Sequence, residues 1–238
     1  MHTSETSSIT SFAEINAIIE AIPERTFGGS QPEFLFHLLL NLQVEGEVVE
    51  IGTNVGKSTI ALAFAQKVKN GRPIHTIDIF QHPAIEQNLQ RAGVSQYVNR
   101  IISPSHVAAK QWNKPVKLLW IDGDHSYRGV VTDIKNWSKF VVEGGLIALH
   151  DYPGHYGSKV VFRAIADSVL MDPFQYRILH DREAGSIIVF QKLQQTAQSL
   201  PSRNKIRDFI YWKTRNLRAW IIETFPGFAQ KLIRKIKE

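Results

Sequence analysis

Five short apolar runs, Glu47–Ile51, Ile74–Ile79, Val98–Ser103, Val116–Ile121 and Leu146–His150, recur along the chain with amphipathic stretches between them. This alternation predicts a parallel β-sheet with helices on both faces. The runs KLLWI and GLIAL have no polar face, as expected of central parallel strands buried on both sides. Between the strands, Ser58–Lys69 places Ile60, Phe64 and Val68 on one helical stripe, and Pro83–Ala92 opens on proline and is followed by Gly93. Further helices are predicted at Tyr127–Phe140 and Ser158–Leu170, and at Ser11–Ala21 and Pro32–Leu42 ahead of the first strand. Two last strands, Phe174–His180 and Ser186–Gln191, flank the short turn DREAG, which makes them an antiparallel hairpin. The fold class is therefore α/β, a doubly wound and mostly parallel seven-stranded sheet closed by that hairpin. Residues 44–192 form the central domain, 1–43 are helices on its N-terminal side, and 193–238 are a linker with C-terminal helices.

The length, 238 residues, suits one such domain with appendages, and 43% hydrophobic content is enough for a sizeable core. There is no cysteine, so a metal site must use oxygen or imidazole ligands. The start, MHTSETSSITSFAEI, lacks the basic and apolar regions of a signal peptide, and no stretch is long and apolar enough to span a bilayer. A cytoplasmic protein is expected. The net charge of +6 is unevenly placed. Residues 201–238 hold ten Lys or Arg against Asp208, Glu223 and Glu238, a net +7 that leaves about −1 for the rest. Aromatics such as Trp212, Trp220 and Phe228 lie among these basic residues, in the pattern of basic amphipathic helices. Three readings of residues 203–238 stay open: attachment to the anionic inner face of a membrane, a packing or homo-oligomer contact, and, least favoured for want of any recognised module, nucleic acid.

The stretch VVEIGTNVGKSTIALA is a strand, a glycine turn and a helix, so backbone N–H groups converge on whatever occupies the turn. A phosphate-binding P-loop needs four residues between its first glycine and the Gly-Lys pair; Thr53, Asn54 and Val55 supply three. The dinucleotide fingerprint fails because Asn54 stands at its second glycine. What remains, E-x-G-x-x-x-G from Glu50 to Gly56, resembles motif I of class I S-adenosylmethionine (SAM) dependent methyltransferases, where a carboxylate lies near the amino-acid part of the cofactor. Glu50, Gly52, Thr53, Asn54, Gly56 and Ser58 are the expected cofactor contacts here. Asp78, at the end of the second strand, is placed to accept both ribose hydroxyls. Ser103, Ser105 and His106, after the third strand, are candidates for an adenine pocket, although a serine before a helix is commonly a cap.

The most specific stretches are IDGDHSYRGVVTDI and GGLIALHDY. In an open α/β sheet the carboxyl ends of adjacent central strands face one crevice, so Asp122, Asp124, His125, His150 and Asp151 should converge. Carboxylates beside imidazoles offer a general base for an alcohol or phenol and a place for a divalent cation. Together with EIGTNVGKST, these stretches closely resemble the family of SAM-dependent methyltransferases that includes macrolide-sugar O-methyltransferases and cephalosporin-hydroxylase-like proteins. The resemblance spans about Glu47 to Phe190. It implies a Rossmann-like methyltransferase fold and methyl transfer to a hydroxyl on a small-molecule or sugar-type acceptor, with His125 as base beside Asp122 and His150. In metal-using relatives the corresponding positions hold Mg²⁺, which assigns Asp122, Asp151 and His150 to Mg²⁺ or another divalent cation. His150 departs from the carboxylate usual there, so a metal-free reaction stays open. Aromatic residues proposed for the acceptor pocket are Phe27, Phe34, Trp112, Tyr127, Tyr152 and Tyr156.

Overall fold

A computed structural model describes residues 11–24, 27–152, 159–168 and 175–194. Its elements run α1 (Phe12–Glu20), α2 (Gln31–Leu40), β1 (Glu47–Ile51), α3 (Lys57–Val68), β2 (Ile74–Asp78), α4 (Ile85–Arg91), β3 (Val98–Ile102), α5 (Ser105–Gln111) and β4 (Val116–Ile121). They continue with α6 (Tyr127–Trp137), β5 (Val141–Leu149), α7 (Lys159–Ala166), β6 (Tyr176–Glu183) and β7 (Ile187–Lys192). The strands form one sheet in the order β3-β2-β1-β4-β5-β7-β6. All neighbours are parallel except β5–β7 and β6–β7, so the expected doubly wound sheet with its antiparallel hairpin is present.

The period-two geometry of strands explains how one sheet serves two cores. In β4, Leu118 and Trp120 face the layer of α1, α2 and α3, while Leu119 and Ile121 face the layer of α5, α6 and α7. All four are at most 4% exposed, which is why that run has no polar face. The same alternation sends Val48 to the first layer and Val49 and Ile51 to the second. Glu50 must then point under α3.

Three details differ from the sequence reading. A seven-residue helix, α5, follows β3 where none was assigned; its apolar signal is short, with only Ala108 and Ala109 buried. β5 begins at Val141 and runs through Glu143, Gly144 and Gly145, with its register to β4 shifting between Val116 and Leu118. Glycine carries weak strand propensity, so the pattern marked only the apolar end. β6 extends to Glu183, and the hairpin turns instead on Ala184 and Gly185, both with positive φ. Among the described residues no helix is long and apolar enough to cross a membrane. The basic segment 203–238 and Tyr156 lie outside the described residues.

Candidate active site

The carboxyl ends of β1, β2, β4 and β5 are tied to one another just past the strands. Gly52 N–H donates to Ile77 O at 2.9 Å, Asp122 N–H to Ile51 O at 2.8 Å and His150 N–H to Ile121 O at 3.1 Å. A crevice of about 1010 Å³ opens above these ties. Gly52 is indispensable to its floor. Its φ is +96°, and a Cβ there would lie 2.2 Å from the Asp122 carbonyl oxygen, so β1 and β4 approach too closely for any side chain. Gly56, φ +89°, caps α3, and a Cβ on it would strike Ile85 Cδ1 at 2.3 Å.

Gly52, Thr53, Asn54, Gly56 and Ser58 all line the crevice, as do Asp78, Ser105, Asp122, His125 and Asp151. Asp78 is held by the loop: its Oδ2 accepts the N–H of Thr53 (2.9 Å) and Asn54 (3.0 Å), and its Oδ1 that of Phe80 (3.1 Å). Asn54 has φ +45°, a conformation that asparagine tolerates and that turns the loop back toward β2.

Glu50 is placed otherwise than expected. It is fully buried and absent from the crevice lining. Ser58 Oγ (2.5 Å) donates to one carboxylate oxygen, and Thr59 Oγ1 and Thr76 Oγ1 (both 2.6 Å) donate to the other. Since Thr76 gives its proton to Glu50, Thr53 donates to Thr76 in turn, at 2.5 Å. Burial pushes the Glu50 carboxyl up to about 7 against the opposing pull of these hydroxyls, and the nearby Asp122 charge adds to the rise. Glu50 thus fastens the loop and the start of α3 to β1 and β2 from beneath. Direct contact with an ammonium group is not its geometry.

At the inner end, His125 sits between two carboxylates. Its Nδ1 lies 2.8 Å from Asp151 Oδ2 and its Nε2 3.1 Å from Asp122 Oδ1. A neutral imidazole has one N–H and cannot donate to both; an imidazolium can. The hydrogen bonds to Asp122 and Asp151 outweigh burial and raise the ring to about 10, while the bond to His125 holds the Asp151 carboxyl below its ordinary value. The expected base, suited as it stands to neutral pH, is therefore a cation in the resting site. Asp151 itself has φ +54°, an uncommon backbone state that aims its carboxylate at the ring.

His150 does not line the crevice and is 3% exposed. Its Nδ1 is 2.9 Å from Asp122 Oδ1 and its Nε2 3.0 Å from Gln31 Nε2. Gln31 Oε1 accepts the Gly28 N–H, which turns the amide nitrogen toward His150 and Ser186. His150 Nε2 must then accept, leaving the Nδ1–H tautomer to donate to Asp122. Burial opposes charge on this ring while Asp122 and Asp151 favour it, and the balance lies upward of the usual value. The Gln31 contact nonetheless selects the neutral ring in this geometry. His150 is a buried support that fixes Asp122, and it reaches neither substrate nor solvent.

Among the described residues, the metal-ligating atoms that all lie within 4.8 Å of one another belong to Asp122, His125 and His150, with His125 in the place assigned to Asp151. Two imidazoles and one carboxylate suit a borderline cation better than Mg²⁺. Each of these ring nitrogens is also already hydrogen-bonded. The donor set does not fit Mg²⁺.

Residues 49–152 match the family model described as a methyltransferase domain. Over that stretch, 104 of the 238 residues, the chain is similar to methyltransferase domains. A curated relative, protein R132 of Acanthamoeba polyphaga mimivirus, is 30% identical over 145 residues, covering 55% of this chain. The chain spans 64% of that relative's length. Among solved structures, the O-methyltransferase from Bacillus cereus in complex with S-adenosylhomocysteine (SAH) superposes with a TM-score of 0.58 at 16% identity, over 79% of this chain and 94% of that one. Cofactor-bound Rv0187 from MTB gives 0.57 at 22% identity, over 81% and 94%. These two likenesses show the shared fold.

Two further residues at the crevice were not singled out from the sequence. Lys57 is 5% exposed, and its Nζ donates to the carbonyls of Glu24 (2.5 Å) and Phe27 (3.1 Å). It binds α3 to the segment that carries Phe27, whose ring packs edge-on against Trp120 and His150. Asp133, on α6, is 4% exposed and bonded to Ser105. Of the proposed acceptor aromatics, Phe27 alone among the described residues lines the crevice. Trp112 meets His75 edge-on and Trp137 at a tilt, Tyr152 is fully buried, Phe34 faces His180, and Tyr127 lies under Arg163.

Proposed function

We propose that this methyltransferase transfers a methyl group from SAM to a hydroxyl on a small-molecule or sugar-type acceptor. The observation that carries the reading is the crevice itself, with Asp78 at its outer end and the Asp122–His125–Asp151 cluster at its inner end. The glycine loop and the first turn of α3 fit the amino-acid part of the cofactor, and Asp78 fits the ribose. SAM supplies an electrophilic methyl on a sulfonium. In-line attack then needs the acceptor oxygen held on the far side of that methyl, in a space closed to water. Phe27 supplies an apolar wall there, and Lys57 keeps the wall in place.

The acceptor proton goes to the carboxylate-bound cluster. His125 accepts it only when one ring nitrogen is bare, and at a pKa of about 10 that is about one molecule in a thousand at neutral pH. A neighbouring sulfonium disfavours the imidazolium, so His125 sheds its proton more readily with the cofactor bound. The carboxylates then fix the neutral ring's orientation. The structural likeness to an O-methyltransferase supports oxygen as the accepting atom, and no step is routed through Mg²⁺. Attachment of residues 203–238 to an anionic membrane, or to a second copy of the chain, remains part of the proposal from their basic and aromatic pattern.

Calorimetric titration with SAH, with and without Mg²⁺, tests the cofactor. Micromolar binding indifferent to Mg²⁺ and EDTA is expected; no binding in either condition would overturn the reading. Methyl transfer to a panel of hydroxylated acceptors, lost by about two orders of magnitude in His125→Ala while SAH still binds, tests the base.

A further inference from the structure

We infer that the end of the sheet opposite the crevice is the face the protein lays on an anionic lipid membrane, with the crevice turned to water. This rests on the membrane reading of residues 203–238 and adds to it a surface of the folded domain. It stands apart from the cofactor reading.

The starts of the strands define that end. β4 and β5 begin as a pair, Val116 beside Val141, and the crevice lies past their other ends. Lys114 and Lys139 stand two residues ahead of these starts, and both are exposed. Each lies over a half-buried ring: Lys114 Nζ is 5.8 Å from the centroid of Trp112, and Lys139 Nζ is 4.9 Å from that of Phe140. Both rings pack on buried Trp137, at 5.4 and 5.9 Å, so the two lysine–aromatic pairs belong to one patch. Lys135, in the last turn of α6, adds a further exposed cation. Among the described residues at this end, the acids Glu45 and Glu47 are answered by Arg72, and Glu143 stands against the lysines. The chain also leaves here. Lys192 Nζ donates to Val141 O at 2.7 Å and the Leu193 N–H to Gln175 O at 2.7 Å, so β7 ends at the same patch. Arg203, where the segment of net charge +7 begins, follows nine residues beyond Gln194, a reach of at most ~30 Å. A membrane interface takes both halves of a lysine–aromatic pair, the ring at the acyl boundary and the ammonium among anionic headgroups. Nucleic-acid phosphates call for the cations alone. One weak signal gives marginal attachment, and a second cationic surface in the same plane makes it stable. With that end on the bilayer, the acceptor reaches the crevice from water and is not a molecule embedded in the lipid.

The test is co-pelleting of the full chain with phosphatidylcholine vesicles that do or do not contain phosphatidylserine. The wild type is expected to pellet only where phosphatidylserine is present. Lys114→Gln with Lys139→Gln removes two surface cations, and the apparent Kd should rise roughly 30-fold, while Lys114→Arg with Lys139→Arg stays near wild type. A double glutamine variant that pellets like the wild type overturns the inference. If Lys213→Gln, Arg215→Gln and Arg218→Gln together still release the protein, the reading of residues 203–238 survives that failure. A wild type that ignores the vesicles fails that reading and this inference together, and equal pelleting without phosphatidylserine overturns the anionic face. Binding to a DNA duplex that is lost in the double glutamine variant, with no pelleting, would assign the face to nucleic acid instead. The chain has no cysteine, so a polarity-sensitive fluorophore on Asn113→Cys, ahead of β4, or on Gln81→Cys, past the crevice end of β2, reports which end meets the lipid. Both positions are exposed. Emission should shift to the blue on vesicles at position 113 and stay fixed at position 81; the reverse, or a shift at both, overturns the orientation.

Discussion

Asp151→Asn removes one of the two carboxylates that make His125 a cation. Moving the ring from 6.5 to about 10 corresponds nominally to about 5 kcal/mol of preference for the charged form in the fold. With 37% of the His125 side chain open to water, screening reduces this to about 1–2 kcal/mol for both contacts together. Losing the Asp151 contact then costs about 1 kcal/mol, or ~2–4 °C in Tm for a chain of this size. The sign follows from the raised pKa. The contribution is complete below pH 6.5, declines as pH rises and is gone above about 10. In acid it fades again, as Asp151 takes up a proton on passing below its ordinary 3.8. The Tm gap between wild type and variant should therefore be widest in weak acid and close in strong alkali. Imidazole NMR titration gives the ring's pKa directly and should show it falling in the variant. A wild-type His125 that titrates near 6.5, or a gap that widens with pH, would refute the carboxylate clamp and restore His125 as a base free at neutral pH.

Gly52→Ala should abolish soluble folded protein, because the added carbon meets the Asp122 backbone at 2.2 Å; recovery of a normally melting variant would show that the two strand ends can part. Glu50→Ala strands three buried hydroxyl donors and should cost about 2–4 kcal/mol in urea unfolding, with SAH affinity falling as the loop loosens. Lys57→Met keeps the packing of the chain but leaves the Glu24 and Phe27 carbonyls without their donor. A loss of about 1–3 kcal/mol is expected, together with a higher KM for the acceptor once one is identified; an unchanged unfolding midpoint would mean water replaces the ammonium at no cost.

The hydrophobic pattern by itself determined the order of the strands and of the helices other than α5, since period-two and period-3.6 burial are properties of the local chain. It also placed the chemistry at strand ends: Gly52, Asp78, Asp122, His125 and Asp151 were legible because a parallel sheet aims its carboxyl ends at one crevice. What lay beyond the sequence was which way a side chain faces and what meets it there. Glu50 looked like a ligand contact, but strand alternation turns it under α3, where hydroxyls separated from it by 8, 9 and 26 residues close over it. His150, adjacent to Asp151, is held by Gln31 across 119 residues, a pairing that no local pattern encodes. Lys57 and Asp133 were not singled out from the sequence; packing buries them against carbonyls from the N-terminal segment and a hydroxyl on α5. The protonation of His125 was decided in the same way. Residue type set its ordinary value near 6.5, and only the convergence of β4 and β5 brought two carboxylates to one ring.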